Sequence, residues 1–229
     1  MATRTGHAGG RRGDRRREPL SRERIVGAAV ELLDGVGEGG LTFRALAERL
    51  ATGPGAIYWH VTGKDELLAA ATEAVVAEAV AEEDGAAPDE AIRSLARGLF
   101  DAIDAHPWVG TRLARASWKP PMLGIFERIG RQVTALRVPE QARFTAASAL
   151  LHYILGVAGQ NADNARSVPP GTDRTAFLDG VARTWAELDP EEYPFVREVA
   201  GRLPGHDDRA QFLDGLDLVL AGITARRTS

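Results

Sequence analysis

Apolar residues recur with a helical period along most of this chain. Phe43, Leu46, Ala47 and Leu50 fall at i, i+3, i+4 and i+7, one face of a short helix. Thr42 stands before them as an N-cap whose hydroxyl can accept an unpaired amide of the first turn. Ala51-Thr52-Gly53-Pro54-Gly55 then breaks the pattern. The Gly-Pro-Gly string cannot continue a helix, but Pro54 fits the first turn of a new one. That next helix is expected from Pro54 to about Val61, with Ile57 and Val61 inward. Upstream, Ser21 caps a helix with the inner stripe Ile25, Ala29, Leu32 and Val36, ended by Gly35, Gly37, Gly39 and Gly40. Downstream, Thr62-Gly63-Lys64-Asp65 has the form of a capping box with Asp in place of Glu. It opens a fourth helix, to about Glu83, with the stripe Leu67, Leu68, Ala71, Ala74, Val75 and Ala79.

Asp84 to Pro88 reads as a linker, and a second set of helices follows. Ile92, Leu95, Ala96, Leu99 and Ile103 mark a helix from Asp89 to Ala105, and Trp108 to Trp118 a short helix or turn. Pro120-Pro121 starts another helix, with Met122, Ile125, Phe126, Ile129 and Val133 on one side. A long helix runs from Pro139 to about Arg166 and is apolar almost all round, through Phe144, Ala147, Leu150, Leu151, Ile154, Leu155, Val157 and Ala158. Phe177, Val181 and Trp185 point inward from a helix over 173–188, a shorter helix covers 191–203, and Asp207 caps the last one, to about Ala225. Strand-like alternation is scarce, so the fold class is all-α: a helix-turn-helix domain followed by a helical bundle. The domains are a basic arm (1–19), the helix-turn-helix domain with its connecting helix (20–84), and a larger helical domain (85–229).

The 229 residues are 44% hydrophobic, enough to bury a sizeable core. There is no cysteine, which excludes disulfides, thiol catalysis and cysteine-ligated zinc and fits a cytoplasmic location. The longest apolar stretch, Ala146 to Gly159, carries His152 and is too short to cross a bilayer. The first residues lack the apolar region of a secretory signal, so no membrane partner is expected. Net charge is −4. Residues 1–19 hold six Arg against Asp14 and Glu18, residues 20–64 balance five basic against five acidic groups, and the acidic excess lies beyond them. A basic arm before an acidic body suits a protein that touches DNA at one end, with the arm on phosphates or as a solvated tail.

Two short helices joined by a tight Gly-containing turn are what a major groove admits. Tyr58, Trp59 and His60 crowd the second helix with little core left to bury all three. Leu41-Thr42, Arg44, Leu46-Ala47, Leu50, Ile57-Tyr58-Trp59-His60-Val61, Lys64 and Leu67-Leu68 together resemble the DNA-binding segment of the tetracycline-repressor family, over about Leu20 to Val80. The resemblance implies that Arg44 reaches a base edge or phosphate, and that Gly53, Pro54, Gly55, Ala56 and His60 face the groove. It implies that Thr42, Tyr58 and Lys64 hold phosphates. Trp59 is expected in the core. The segment departs from the family at Ala51, which stands for a turn glycine, where a left-handed backbone costs about 1 kcal/mol. Gly53, Pro54 and Gly55 also offer no side-chain donors, which leaves direct readout to Arg44, His60 and backbone or methyl contacts.

The final helix is similar to the closing helix of the tetracycline-repressor subgroup, whose members dimerise through it. Its stripe Phe212, Leu216, Val219 and Ile223, with Leu151 and Leu155 of the long helix, is the expected interface in a four-helix arrangement. An effector pocket is expected among Trp108, Trp118, Met122, Phe126 and Tyr153, with Gln160, Asn161 and Asn164 as polar anchors and Trp185 as a further wall. His106, His152 and His206 lie far apart without carboxylates at helical spacing, so neither metal nor cofactor is expected. No phosphate-binding glycine loop or nucleophile elbow is present, and no enzyme is expected. The expectation is a sequence-specific DNA-binding regulator: a homodimeric repressor of an operator duplex, relieved by a small-molecule effector. An activator, and a helical ligand-binding or scaffold protein without DNA binding, stay open.

Overall fold

The computed structural model describes residues 19–80, 85–115, 120–168 and 171–225. Regular structure among them is helical. The head is α1 (Arg22–Gly40), α2 (Phe43–Leu50), α3 (Pro54–Tyr58) and α4 (Lys64–Ala79). The body is α5 (Pro88–Ala105), α6 (Pro107–Arg115), α7 (Pro120–Ala135), α8 (Glu140–Ser167), α9 (Arg174–Ala186), α10 (Pro194–Val199), a 3-10 segment (Ala200–Gly205) and α11 (Asp208–Ala225). The basic arm before Pro19, Trp118 and residues 81–84 lie outside the described residues.

The caps follow from the sequence. Ser21, Thr42 and Asp207 each accept an amide of the turn they precede, from Arg24, Ala45 and Ala210. Asp173 does the same for α9, and this fixes where each helix starts. The start of α4 is built differently from the expected box. Gly63 is the cap and gives no side-chain bond, while the Glu66 carboxylate reaches back to the Thr62 amide and hydroxyl, both at 2.7 Å. Asp65 plays no part in this bond because Glu66, one residue on, is the one turned towards Thr62.

One continuous apolar core runs from the head into the body. α8 is its axis and packs against α5, α6, α7 and α11. α4 lies among α1, α5, α6 and α7, so it is buried over a wide face that adds Ala70, Thr72 and Val76 to the expected stripe, while Ala74 is exposed. Thr72 satisfies its buried hydroxyl by donating to the Leu68 carbonyl. In α1 the inner stripe turns onto Leu33, Leu32 is half-buried, and Val36 is 60% exposed because the chain kinks at Gly37, φ 68°. Phe144, expected in the core, is 69% exposed on the outer side of α8. The lobe of α9, α10 and the 3-10 segment packs chiefly on itself, and no residue of α9 or α10 is buried.

Two contacts set the angle of α4. Gly98 of α5 lies so close to the end of α4 that a β-carbon there would collide with the Ala79 carbonyl oxygen. Arg128 of α7 donates to the Val80 carbonyl, a cation at the negative end of the helix.

Candidate nucleic-acid interface and effector cleft

α3 is too short to be stable alone. It is held by Ile57 and Val61, 0% and 1% exposed, and by Leu46 of α2 in the same core. The turn before it closes with Ala51 in the left-handed region, φ 51° and ψ 45°, as the Gly-replacing position predicts. The amides of Ala51 and Thr52 return to the Glu48 and Ala47 carbonyls, which satisfies the end of α2. The Tyr58 ring stacks on Phe43 with centroids 4.4 Å apart, and more than half of the residue stays exposed. Packing thus fixes the ring while its hydroxyl remains available to a phosphate oxygen.

Among the other expected contacts, Thr42 is exposed and Arg44 has its side chain 89% exposed, paired with Glu48 one turn on at 3.1 Å. Gly53, Pro54 and Gly55 are exposed, and Ala56 and His60 are half-buried. Lys64 is half-buried and donates to the Glu38 carbonyl at 2.6 Å, which ties α4 to the end of α1; an ammonium has two further N–H bonds to give. Trp59 is the correction. It is 90% exposed, because Ile57 and Val61 already occupy the inner side and α3 ends at Tyr58.

A salt-bridge frame holds these parts together. Arg49 of α2 pairs with Glu31 of α1, and Arg22 of α1 donates to Glu66 of α4 at 3.1 Å. The Thr62 amide, the Thr62 hydroxyl and then Arg22 lower the Glu66 pKa to about 2.

The head meets the body at a junction that spacing in the sequence did not reveal. Asp34 of α1 accepts the indole N–H of Trp108 at 2.8 Å, and His106 Nδ1 lies 2.8 Å from the same oxygen. Arg112 of α6 lies 3.8 Å from Glu38. Trp108 is therefore buried at the head–body contact and does not line the cleft. The only sequence signal was an indole that needs a partner when buried.

In the body, a cleft of ≈ 640 Å³ opens between α8 and the α9 lobe. Gln160, Asn161, Asn164 and Trp185 line it as expected, joined by Val157, Phe177, Val181, Arg174, His206 and Gln211. Met122 is in the core, and Phe126 meets Phe144 edge to face at 6.0 Å. Tyr153 donates to the Phe212 carbonyl at 2.8 Å, and neither it nor Met122 or Phe126 reaches the cleft. Trp118 lies outside the described residues. His206 sits 3.1 Å from Asp208, a carboxylate pairing that helix spacing did not suggest.

The expected pairing surface is also redistributed. Phe212 and Leu216 are fully buried within the subunit, and Leu151 and Ile223 are each only 8% exposed. The first two have no surface to offer a second chain. Val219 and Leu155 are half-buried, Leu218 is 77% exposed, and a groove of ≈ 290 Å³ runs along Ala142, Thr145, Ala146 and Ala149 of α8 and Val219 and Gly222 of α11.

Two family models match. Residues 25–71 match the bacterial regulatory proteins of the tetR family, and residues 82–227 match the tetracyclin repressor-like C-terminal domain. A transcriptional regulator of Streptomyces coelicolor described as a TetR is 61% identical, with a TM-score of 0.84 over 91% of this chain and 100% of that one. An HTH-type transcriptional regulator of Saccharopolyspora erythraea is 30% identical over 90% of this chain and 85% of its own length. The Streptomyces coelicolor TetR family protein ActR, solved in complex with actinorhodin, is 25% identical with a TM-score of 0.72 over 93% of this chain and 100% of that one.

Proposed function

The chain belongs to the tetracycline-repressor family of bacterial regulatory proteins, and on that premise we propose that it is a homodimeric repressor which leaves its operator when a small molecule enters the cleft between α8 and α9. The observation that carries the reading is α3: a helix pinned on one side by Ile57 and Val61 whose other side faces solvent. Thr42, Tyr58 and Lys64 hold phosphates, Arg44 and His60 reach towards bases, and each α3 enters a major groove of a roughly palindromic operator. The protein acts in the cytoplasm as a regulator, not as an enzyme.

Pairing uses the open side of α8 and α11, through Val219, Leu155, Leu218 and the groove beside them, in a four-helix contact. The effector is a largely apolar molecule. Phe177, Val181 and Trp185 supply its surface contact, and Gln160, Asn164 and Gln211 its orientation. That ActR was solved in complex with actinorhodin supports a small-molecule effector.

Two routes lead from the cleft to the head. One passes from α8 through α5 to α4, whose far end is held by Gly98 and Arg128. The other starts at Asn161, which donates to Asp104 at 3.3 Å, two residues before His106 and the Asp34 junction. A ligand that prefers the released arrangement by about 10⁴-fold, roughly 5.5 kcal/mol, switches occupancy almost completely.

A mobility-shift assay on duplexes flanking the gene tests the DNA claim. Wild type is expected to shift a duplex at low salt, Arg44→Ala and Tyr58→Phe to weaken that shift. Absence of any shift at low salt removes the claim. A thermal-shift screen with apolar metabolites and antibiotics, repeated on Trp185→Ala, tests the cleft; a hit whose stabilisation survives that substitution places the ligand elsewhere.

A further inference from the structure

The outward face of α3 is unusual in its chemistry. Ile57 is fully buried and sets the helix rotation. With successive residues turning by about 100°, Gly55 and Trp59 fall on the opposite side, one turn apart, and Ala56 and Tyr58 flank them. The Tyr58 ring is already stacked on Phe43. Trp59 is the most exposed large apolar residue among the described ones, and it has no ring partner there. A β-carbon on Gly55 would meet nothing within 4 Å, so the space beside the indole is open. Pro54, three residues before Ile57, falls about 60° from the buried side and lies off this face. This face therefore presents an indole, an alanine methyl and bare backbone, with the indole N–H as its one side-chain donor besides Tyr58.

A base edge that needs a hydrogen bond loses water against such a surface and gains no partner, which is unfavourable. The apolar feature of the major groove is the thymine C5-methyl group. We propose that this face reads thymine methyl groups, with Trp59 as the specificity-determining side chain and Arg44 left as the polar reader. The proposal rests on the DNA-binding reading above. Tyr58 flanks the face on the same helix and Arg44, its side chain 89% exposed, stands on the helix before it; these polar neighbours favour a duplex as the occupant over an apolar protein surface. The expected operator half-site has a thymine opposite Trp59, and any guanine preference sits where Arg44 lands, from α2.

The test starts from a randomised duplex library. The tightest duplex recovered with the full-length protein is remade with deoxyuridine at the recovered thymine positions, which deletes only the methyl groups. Wild type is expected to lose about fourfold in affinity per contacted methyl, hence more than about tenfold when both half-sites are altered. Trp59→Ala, a change at an exposed position that leaves the core intact, binds the thymidine duplex more weakly and has a thymidine-to-deoxyuridine ratio near one. Replacing guanine by 7-deazaguanine affects wild type and Trp59→Ala alike. If Trp59→Ala binds too weakly to measure, Trp59→Phe takes its place: a ratio smaller than that of wild type supports the proposal, and an unchanged ratio overturns it. A wild-type ratio near one, or the same loss in wild type and Trp59→Ala, also overturns it. If no duplex is enriched at all, DNA binding itself fails and the proposal falls with it.

Discussion

α3 and α10 are the two shortest α-helices described, five and six residues, and both expose aromatic rings. Trp59 and Tyr58 stand out from α3; Phe195 and Tyr193 stand out at α10, 69% and 39% exposed. Neither helix is long enough to hold itself together. They differ in what lies beneath. α3 sits on Ile57 and Val61, both in the continuous core, and its Tyr58 ring is fixed by Phe43. α10 has no buried residue and is tied back mainly by Arg197, which donates to the Leu188 carbonyl. An exposed ring on a platform anchored in the core keeps one geometry, as a surface that reads base edges must. The same ring on a lobe packed chiefly on itself has no such platform to hold it.

The contrast breaks most visibly in stability. Ile57→Ala removes a fully buried side chain and is expected to cost about 2–5 kcal/mol in urea unfolding. Val196→Ala in α10, at a half-buried position, should cost well under that; equal losses would mean that the two helices are held alike. Gly98→Ala forces a methyl onto the Ala79 carbonyl and should cost about 1–3 kcal/mol. It should also change DNA affinity, because it tilts α4, and an unchanged affinity would show that α4 does not set the position of the head. Ala51→Gly relieves a left-handed alanine and is expected to raise stability by about 1 kcal/mol, so a lower melting temperature would contradict the strain at that turn.

The remaining two effects are smaller. Glu66 has its pKa lowered from 4.5 to about 2, so its carboxylate stabilises the fold above about pH 4.5 and that contribution fades as pH falls towards 2. The gap in unfolding midpoint between wild type and Glu66→Gln should therefore be full at neutral pH and close across that window. A gap independent of pH would assign the effect to shape rather than charge. Phe195→Ser should stay within about 0.5 kcal/mol of wild type, and a larger loss would show that the α10 lobe is more firmly packed than its exposure indicates.

Much of this was written in local chemistry. Ser21, Thr42 and Asp207 cap the helices they precede because a short polar side chain before an apolar period has few other uses. The left-handed turn at Ala51 was legible through the resemblance, because Ala51 stands where the tetracycline-repressor family has a turn glycine. At the start of α4 local reasoning misplaced the acid by one residue, because Asp65 and Glu66 differ in reach and only their position against Thr62 decides between them. In the candidate site Thr42, Arg44 and Tyr58 are exposed, as a contact surface requires, whereas Trp59, expected in the core, lies outside because Ile57 and Val61 had already filled the inner side.

The sequence by itself determined the helical class, the turn between α2 and α3, and the direction in which each apolar stripe points, because all of these are set within a few residues by period, caps and backbone preference. Only the tertiary structure decided which stripes meet. It closed Phe212 and Leu216 into the subunit, left Phe144 and Leu218 outside, opened the cleft along Gln160 and Asn164, and brought Trp108 to Asp34 across 74 positions. A period of 3.6 residues fixes the face a side chain occupies; what arrives at that face is supplied by segments far away in the chain, and burial follows the neighbour that arrives.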